Sequence, residues 1–323
     1  MVRCLILGGT GFIGLHLAEL LLREGYRVRI FDRREPAPVV GLAGTGQMEV
    51  QTGDFLDKQA VRSAVSGCDV VFHLVSTTLP KSSNTDVSFD VESNIVGTLQ
   101  LLDVARESGI RKIIFSSSGG TIYGVPQRLP IPETHESFPL VAYGISKLAI
   151  EKYLHLYKML YGIPYVVLRI GNVFGERQRT DTSQGAIAVF LSRALAGGTV
   201  EIWGDGTTVR DYIYIQDVVQ AFMLAMSFEG APSVFNIGSG EGLSLNDVLV
   251  AIEELLGTPV ARRYVARRSF DVPANVLDIS RAKELLGWTP RFAFREGLAR
   301  TLEWMRQDRE AKDADTKTGE QRG

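Results

Sequence analysis

Short apolar runs alternate with segments of helical periodicity through the first half of the chain. The first run, 2–8 (VRCLILG), is short enough for a buried strand, and apolar residues then recur at helical spacing over 11–25, which Gly25 closes. Further strands are predicted at 26–32 (YRVRIFD), 48–54 (MEVQTGD), 68–75 (CDVVFHLV), 111–118 (RKIIFSSS) and 165–175 (YVVLRIGNVFG), and further helices at 58–67, 87–108 and 143–161. Such alternation is typical of βαβ units, so the pattern predicts an α/β fold around a parallel sheet.

The pattern changes near residue 176. There a helix at 185–198 (GAIAVFLSRALAGG) is mixed with isolated strands at 199–204 (TVEIWG), 234–240 (VFNIGSG) and 262–268 (RRYVARR). This mixture predicts a smaller, less regular lobe beside the sheet. We therefore expect a first domain over 1–175, to which later segments return, and a lobe over 176–308. The final residues, 309–323, are polar and aperiodic, which predicts a disordered tail.

Composition and charge exclude several classes of partner. The net charge is −2 and no basic block interleaves with aromatic residues, so neither nucleic acid nor an anionic membrane is expected as a partner. No apolar stretch approaches the ~20 residues of a membrane span, and the opening MVRCLILGG is too short for a signal-peptide core. Cys4 and Cys68 lie within apolar stretches, which predicts no disulfide framework and a cytoplasmic location. No metal site is expected, because the histidines have no ligand spacing: His16, His73, His135 and His155.

A glycine triplet joins the first predicted strand to the first predicted helix. Gly8, Gly11 and Gly14 have the spacing G-x-x-G-x-x-G. Glycine permits a tight turn, lets the backbone approach a pyrophosphate and brings the helix close to the strand. The free N–H groups and the dipole of the helix N-terminus then favour an anion. The position of the triplet in a βαβ pattern predicts dinucleotide binding.

Two carboxylates indicate which dinucleotide is bound. Asp32 closes the second predicted strand, where a carboxylate accepts hydrogen bonds from both hydroxyls of the adenosine ribose and repels a 2′-phosphate. NAD is therefore favoured over NADP, although Arg33 and Arg34 follow directly and would favour the phosphate. Asp54 has two interpretations, a contact with the adenine edge or a helix cap.

A tyrosine and a lysine lie one helical turn apart at the start of a predicted helix. Tyr143 and Lys147 are four residues apart in AYGISKLAIEKYL, and hence share one face. The reference pKa of tyrosine is near 10, so a phenol that acts as a base near neutral pH needs about 4 kcal/mol of differential stabilisation. A lysine ammonium and an oxidised nicotinamide cation are suitable sources. The pair is therefore the candidate for proton transfer.

The motifs together resemble the extended short-chain dehydrogenase/reductase family, in its nucleotide-sugar branch. The resemblance covers about 2–305, and its marks are GGTGFIG, VFHLV, SNIVGTLQLLDVA, FSSS followed by YG, YGISK, LRIGNVFGERQ, WGDGTTVRDYIYIQDV and FNIGSG. It implies a Rossmann-type, doubly wound parallel sheet that binds NAD and a smaller mixed α/β C-terminal lobe that binds a nucleoside-diphosphate sugar. It also adds neighbours of the glycine loop and of the strand ends to the cofactor-binding set, namely Phe12, Ile13, Arg33, Phe55 and Leu74.

The resemblance implies roles at matching positions. Tyr143 is similar to the acceptor of the sugar 4-hydroxyl proton, and Lys147 to the residue that lowers its pKa and holds the nicotinamide ribose. Arg210 and Arg268 resemble the arginines that clamp the diphosphate, for which a guanidinium fork is well suited. The remaining substrate-binding candidates are Asn172 in GNVFG, Thr78 in the loop after the fourth strand, and Arg179. Trp203 in VEIWGDG is interpreted as structural.

The resemblance also narrows the reaction. Dehydratases of the branch carry an Asp-Glu pair just before the YG dipeptide and decarboxylases carry a Glu, whereas GGTI precedes Tyr123 and Gly124 here. This absence favours 4-epimerisation of a UDP-sugar, of the UDP-glucose/galactose or UDP-GlcNAc/GalNAc type, through a transient 4-ketosugar. Asn275 occupies the position that controls sugar size and is smaller than tyrosine. A UDP-glucuronate 4-epimerase, a nucleotide-4-ketosugar reductase and a non-catalytic NAD sensor remain alternatives.

Two further expectations concern a hydroxyl group and the oligomer. Relatives place a Ser or Thr four residues before the YG tyrosine, and that position is Gly119 here. Ser118 is the first candidate for the catalytic hydroxyl, and Thr121, beyond the two glycines, is the second. Apolar surface on the helices predicted at 87–108 and 143–161 indicates a helix-paired homodimer.

Overall fold

The computed structural model describes residues 2–35, 47–180, 185–267 and 271–320, with side chains through Ala311. Its strands are β1 (Arg3–Leu7), β2 (Arg27–Asp32), β3 (Met48–Thr52), β4 (Val70–His73), β5 (Lys112–Ser118), β6 (Tyr165–Ile170), β7 (Asn172–Phe174), β8 (Val200–Trp203), β9 (Val209–Tyr214), β10 (Val234–Ile237), β11 (Gly242–Ser244), β12 (Arg262–Val265) and β13 (Ala274–Asn275). Its α-helices are α1 (Phe12–Arg23), α2 (Lys58–Val65), α3 (Val87–Asp90), α4 (Gly97–Glu107), α5 (Ala142–Tyr161), α6 (Ala186–Leu195), α7 (Ile215–Ser227), α8 (Leu245–Leu256), α9 (Ser280–Leu286) and α10 (Phe294–Glu320).

Seven strands form the central sheet, and all of their pairings are parallel. The spatial order is β3-β2-β1-β4-β5-β6-β10. The order reverses between β1 and β4, and ligands of doubly wound sheets bind beside such a switch point, outside the carboxyl ends of the strands. The Rossmann-type doubly wound α/β fold expected from the sequence is therefore confirmed.

The side chains of the central strands alternate between two hydrophobic cores. In β1, Cys4 and Ile6 pack in the core covered by α1 and α7, whereas Leu5 and Leu7 pack in the core covered by α2, α4 and α5. A strand buried on both faces needs such a continuous apolar run. Cys4 and Cys68 are buried free thiols, and burial raises the pKa of Cys4 to about 12. Both thiols are therefore unreactive packing residues.

Three segments depart from the sequence-based expectations. The strand predicted at 165–175 is broken at Gly171 into β6 and β7, because β7 leaves the central sheet to pair with β9. The helix predicted at 87–108 contains a π-helical segment, Val91–Val96, between α3 and α4. Helix α10 continues through Glu320, into the range for which disorder is predicted.

The second lobe is tied to the central sheet by a buried carboxylate. Strand β9 pairs with β7, β11 and β13, and β8 pairs with β12. Asp211 of β9 is fully buried, and its carboxylate accepts hydrogen bonds from the backbone N–H groups of Ser239, Gly240 and Leu277 and from the Ser239 hydroxyl. Because Ser239 and Gly240 follow β10, this carboxylate fixes β9 beside the carboxyl edge of the sheet. None of the helices in the described part of the chain is long and apolar enough to cross a membrane.

Candidate active site

The glycine loop forms a tight turn between β1 and α1. Gly8 has a φ of +80°, and its N–H donates to Phe31 O at 2.9 Å. A Cβ on Gly14 would lie 2.6 Å from Gly8 O, so only glycine permits this approach of helix to strand. Gly11 precedes the helix and supplies no side-chain cap. The first N–H groups of α1 therefore remain available to an anion, and the loop is suited to a dinucleotide pyrophosphate.

Asp32 and Asp54 lie at the neighbouring strand ends. The Asp32 carboxylate accepts hydrogen bonds from Thr10 N at 3.1 Å and Arg33 N at 2.7 Å, which orients it beside the glycine loop. Asp54 accepts from Leu56 N at 2.9 Å and from the Arg33 guanidinium at 3.3 Å. The cap of α2 is Asp57, so the interpretation of Asp54 as a helix cap is wrong. Because the Arg33 guanidinium pairs with Asp54, the carboxylate of Asp32 at the end of β2 remains available to ribose hydroxyls.

The other candidate cofactor residues divide between the cavity and the core. Phe12 and Ile13, in the first turn of α1, line the cavity described below. Phe55 is buried in the core, with its ring centroid 5.3 Å from that of His73. Leu74 N donates to Leu7 O at 3.0 Å and so continues the β4–β1 pairing. Phe55 and Leu74 are therefore packing residues of the sheet and are not among the residues that line the cavity.

A cavity of about 740 Å³ opens between the carboxyl edge of the sheet and the second lobe. Ligand sites of several hundred Å³ are typical of enzymes of this size. Seven of the residues predicted from the sequence line it, namely Phe12, Ile13, Ser118, Thr121, Tyr143, Asn172 and Arg210. Trp203, which the sequence analysis interpreted as structural, also lines it, and the ammonium of Lys81 lies 5.9 Å from the Trp203 ring centroid. The cavity is thus shared by both lobes.

Tyr143 and Lys147 lie in the first turns of α5. Lys147 is buried, and its Nζ donates to Ser116 O at 2.9 Å and lies over the rings of Phe115 (4.7 Å) and Tyr143 (5.5 Å). The strand β5 thus supplies both an acceptor and an aromatic face for the ammonium. This contact fixes the first turns of α5 against the end of β5, where Ser118 stands.

Burial moves the pKa values of the two groups in opposite directions. The pKa of Tyr143 is raised to about 12, chiefly by burial and also by the negative charge of Asp90, while a hydrogen bond with Ser76 opposes the change. Burial lowers the pKa of Lys147 to about 8, although the carboxylates of Asp90 and Glu151 oppose this change. In the protein without a nicotinamide cation, burial therefore raises the Tyr143 pKa and lowers the Lys147 pKa.

The two candidate hydroxyls stand on either side of a glycine turn. Ser118 is the last residue of β5, and its carbonyl accepts from Ile122 N at 3.3 Å, which folds the chain back toward the cavity. Thr121 Oγ1 is buried and has no hydrogen-bond partner among the described residues. A Cβ on Gly119 would lie 2.6 Å from Cδ1 of Leu277, so a serine or threonine at this position would require the Leu277 side chain to shift. The turn thus delivers Thr121 to the cavity wall in its place.

The candidate substrate residues are only partly assembled at the cavity. Arg210 donates to Val209 O (2.8 Å) and Val272 O (2.9 Å), and its guanidinium lies 3.9 Å from Asp271. Asn172 Nδ2 donates to Asp211 O at 3.4 Å. Thr78 is buried away from the cavity, and its hydroxyl donates to Asp90. Arg179 is not among the described lining residues, and Arg268 lies outside the described residues.

Asn275 does not border the cavity directly. It is buried on β13, and its Nδ2 donates to Gly119 O at 3.0 Å, so it supports the glycine turn from behind. Asn275 therefore contacts the Gly119 turn and not the cavity itself.

Two residues beside the Tyr143–Lys147 pair, Ser76 and Asp90, were not predicted from the sequence. Ser76 hydrogen-bonds with Tyr143, and Asp90 is a buried carboxylate whose charge acts on both members of the pair. A spacing signal for Asp90 was available, because Asp90, Asn94 and Thr98 recur every four residues and so share one helix face. All three are buried.

The carboxylates of the cavity are neutralised by arginines. Among the described lining residues, Glu201 and Asp271 are the acidic ones. Glu201 pairs with Arg263 at 2.7 Å, and Asp271 lies 3.9 Å from Arg210. Neither carboxylate is therefore arranged as a free general acid or base.

Comparison with known proteins gives one family. The model of the NAD dependent epimerase/dehydratase family matches residues 4–238. A curated relative, the UDP-glucose 4-epimerase of Mycolicibacterium smegmatis, is 35% identical over 94% of this chain and 99% of its own length.

Solved structures give the same result. The UDP-glucose 4-epimerase of Thermotoga maritima with UDP-glucose has a TM-score of 0.90 at 37% identity, over 95% of this chain and 99% of the other. The UDP-glucose 4-epimerase of Thermus thermophilus, a complex with NAD, has a TM-score of 0.85 at 33% identity, over 94% of this chain and 99% of the other.

The glycine loop can be tested by Gly14→Ala. The new Cβ would lie 2.6 Å from Gly8 O, and overpacking of this kind costs about 1–3 kcal/mol. We expect a lower midpoint of thermal unfolding and a smaller fraction of purified protein that carries NAD, measured after denaturing release. Gly198→Ala is the control, since its Cβ would meet no atom closer than 3.5 Å. A Gly14→Ala protein with unchanged NAD content would contradict the assignment of the loop.

Proposed function

The chain belongs to the NAD-dependent epimerase/dehydratase family, and within it we propose that this enzyme is a UDP-sugar 4-epimerase. NAD is the cofactor of the family, and the glycine loop and the Asp32 carboxylate are suited to its pyrophosphate and ribose. One observation carries the proposal: Tyr143, backed by the buried Lys147, lines a cavity whose carboxylates pair with arginines.

The proposed reaction needs one proton acceptor and one cation from the protein. NAD, when bound, supplies a reversible hydride acceptor for the hydrogen on C4 of the sugar. Tyr143 accepts the proton of the 4-hydroxyl and returns it after the ketosugar has rotated in the cavity to present its other face. Burial raises the pKa of Tyr143. The Lys147 ammonium, held by Ser116 O, lies 5.5 Å from the Tyr143 ring centroid, and a bound nicotinamide would add a second positive charge that favours ionisation of the phenol.

The charged residues of the cavity support epimerisation over elimination. A 4,6-dehydratase must remove a proton from C5 and protonate the departing 6-hydroxyl, which requires a further acid and base. The segment from Ser118 to Gly124 contains no carboxylate, and Glu201 and Asp271 are paired with arginines. Epimerisation needs no such group, because hydride and proton return to the sugar from which they came.

Both UDP-hexoses and UDP-N-acetylhexosamines are proposed as substrates. The cavity of about 740 Å³ has room for a hexose that must rotate, and Arg210 offers a guanidinium for the diphosphate. Trp203, which borders the cavity, offers an aromatic face for the base. Asn275 leaves the Gly119 turn without a bulky side chain behind it, which favours admission of an N-acetyl group.

A panel of UDP-sugars tests the function. We expect the purified protein to convert UDP-glucose or UDP-GlcNAc to its 4-epimer without added reductant, as measured by NMR of the products. Tyr143→Phe is expected to lower kcat by about 10³-fold because it removes the proton acceptor. Strict dependence on added NADPH would instead indicate a 4-ketosugar reductase, and turnover of UDP-glucuronate alone would indicate the acidic-sugar epimerase. Binding of NAD without turnover of any UDP-sugar would indicate a non-catalytic NAD sensor.

We further propose that Thr121 supplies the hydroxyl that relays the proton between the sugar and Tyr143, with Ser118 as the second candidate. The support is the unpartnered, buried Oγ1 of Thr121 in the cavity wall. A buried hydroxyl without a partner carries a desolvation cost that a ligand hydroxyl would offset.

Paired variants separate these two hydroxyls. Thr121→Val is expected to lower kcat by about 10²-fold with little change in the KM for the UDP-sugar, because a relay acts in the transition state. Ser118→Ala is the matched control and should retain most of its kcat. The reverse ranking in steady-state kinetics would assign the relay to Ser118.

A homodimer through α5 is also proposed. The C-terminal turns of α5 expose Leu156, Met159, Leu160 and Tyr161, and Met159 is 71% exposed. The neighbouring segment 87–96 exposes Val87, Phe89, Val91 and Val96. Contiguous apolar helix surface of this kind marks a protein interface, and pairing of two copies would bury it.

The dimer can be tested by sedimentation velocity. Met159→Asp is expected to shift the protein to monomer, because a carboxylate would be desolvated in the paired helices. Val250→Asp on α8, which is 46% exposed outside this surface, is the control and should leave the sedimentation coefficient unchanged. A wild-type chain that sediments as a monomer at micromolar concentration would refute the proposal.

A further inference from the structure

Asp90 is an unusual group for the interior of this fold. It is fully buried at the end of α3, where the chain enters the π-helical segment. No lysine, arginine or histidine forms an ion pair with it among the described residues. A buried carboxylate without a cation is costly unless donors surround it, so its retention requires an explanation.

Neutral donors from three elements satisfy this carboxylate. Oδ1 accepts hydrogen bonds from the Thr78 hydroxyl, in the loop after β4, and from Asn94 Nδ2 at 3.2 Å in the π-helical segment. Oδ2 accepts from the Ser146 hydroxyl on α5. Asp90 thus joins the loop after β4, the π-helical segment and α5 at a single point.

The place of contact on α5 is close to the proposed chemistry. Ser146 directly precedes Lys147 and follows Tyr143 by three residues, so the hydrogen bond to Asp90 holds the turn that contains both groups. The loop after β4 is fixed to the same turn, because Thr78 donates to Asp90 and Thr77 N donates to Asn94 Oδ1 at 3.1 Å. Ser76, which hydrogen-bonds with Tyr143, belongs to this loop. π-Helical turns are frequent at functional sites, and this one brings Asp90 and Asn94 to the same loop.

Asp90 is also the negative charge that acts on the pair without being neutralised. Its carboxylate raises the pKa of Tyr143 and of Lys147. Glu151, one turn further along α5, also raises the pKa of Lys147, but Arg169 of β6 pairs with it at 2.7 Å. His73 of β4 faces the same region, and burial lowers its pKa to about 3, so it is uncharged. The charge environment of the pair therefore depends on Asp90.

We propose that Asp90 is a positioning residue for the proposed epimerisation: through its hydrogen bonds with Ser146, Thr78 and Asn94, its buried carboxylate fixes the turn of α5 that contains Tyr143 and Lys147. The hydrogen bond with Ser146 fixes the position of Asp90 relative to the turn that contains Lys147. The Asp90 carboxylate, which has no ion-pair partner among the described residues, supplies the negative charge that acts on Lys147. The enzyme thereby retains a cation beside the proton acceptor although burial opposes that cation. This role rests on the proposed function only for its effect on turnover, because the protonation of Lys147 can be measured directly.

The test compares Asp90→Asn with Glu92→Gln. Asparagine preserves the size of the side chain and removes the charge, while Glu92 is an exposed carboxylate two residues away and serves as the control. Lysine labelled with ¹³C at Cε reports the titration of Lys147 by NMR, and the resonance is assigned by its loss in Lys147→Arg. We expect the titration midpoint of Lys147 to fall by about one pH unit in Asp90→Asn and to stay unchanged in Glu92→Gln.

Turnover provides a second reading of the same variants. If the sugar panel yields a substrate, kcat of Asp90→Asn should fall about fivefold at pH 8 relative to the wild type, since fewer molecules then hold an ammonium, with little change at pH 6. A purely structural role for Asp90 would lower kcat equally at both pH values. The NMR titration needs no substrate, so it still tests the role of Asp90 if the epimerase assignment fails.

The outcomes that would overturn the proposal are equally concrete. An unchanged Lys147 midpoint in folded Asp90→Asn refutes it. Should that variant fail to fold by circular dichroism, Asp90→Ser provides a second neutral side chain with a hydroxyl that accepts from Ser146. If neither variant folds, the carboxylate is required for the fold itself and the positioning role is rejected.

Discussion

The burial of the Lys147 ammonium is the constraint on which the site depends. A cation removed from water is stable only where acceptors and aromatic faces replace its hydration. Ser116 O and the Phe115 ring meet that need only if β5 and α5 keep one spacing. The register of β5 between β4 and β6 fixes those two residues, and the extended backbone of Val141 sets where α5 begins. The sheet topology, the start of α5 and the chemistry of the Tyr143–Lys147 pair therefore all depend on the spacing between β5 and α5.

Neutralised charge limits what the cavity can do. A family that performs epimerisation, dehydration and reduction with one tyrosine and one lysine must direct the ketosugar by adding or withholding acids and bases. Here Glu201 and Asp271 are engaged by arginines, and the turn at Gly119 and Gly120 contributes no titratable group. Chemistry is thereby confined to one proton and one hydride that leave and return.

The sequence predicted what periodicity and spacing encode, and missed what depends on three-dimensional packing. Six strands of the central sheet, the glycine loop and the Tyr143–Lys147 pair follow from local patterns, whereas β10, expected in the second lobe, proves to be the edge strand of that sheet. The break at Gly171 was not visible, because an apolar run does not indicate where a strand changes its pairing partner. The burial that raises the Tyr143 pKa was not visible either, because spacing reveals a nearby lysine but not the depth of burial. The spacing of Asp90, Asn94 and Thr98 indicates a shared helix face, but only the structure shows that α5 and the loop after β4 close over Asp90.

The pairing of β10 with β6 has a consequence for how the chain is made. Strand β10 lies far beyond β6 in the sequence, after β7 to β9 and the helices between them, yet it is the edge strand of the first sheet. During synthesis, β6 therefore emerges with an open edge of N–H and C=O groups that is covered only after much of the second lobe has left the ribosome. Such long-range pairings fold slowly, and an open edge can pair with another chain meanwhile. A polypeptide cut near residue 175 would keep that edge permanently, so the lobe acts as an insertion that completes the sheet and cannot be separated as an independent module.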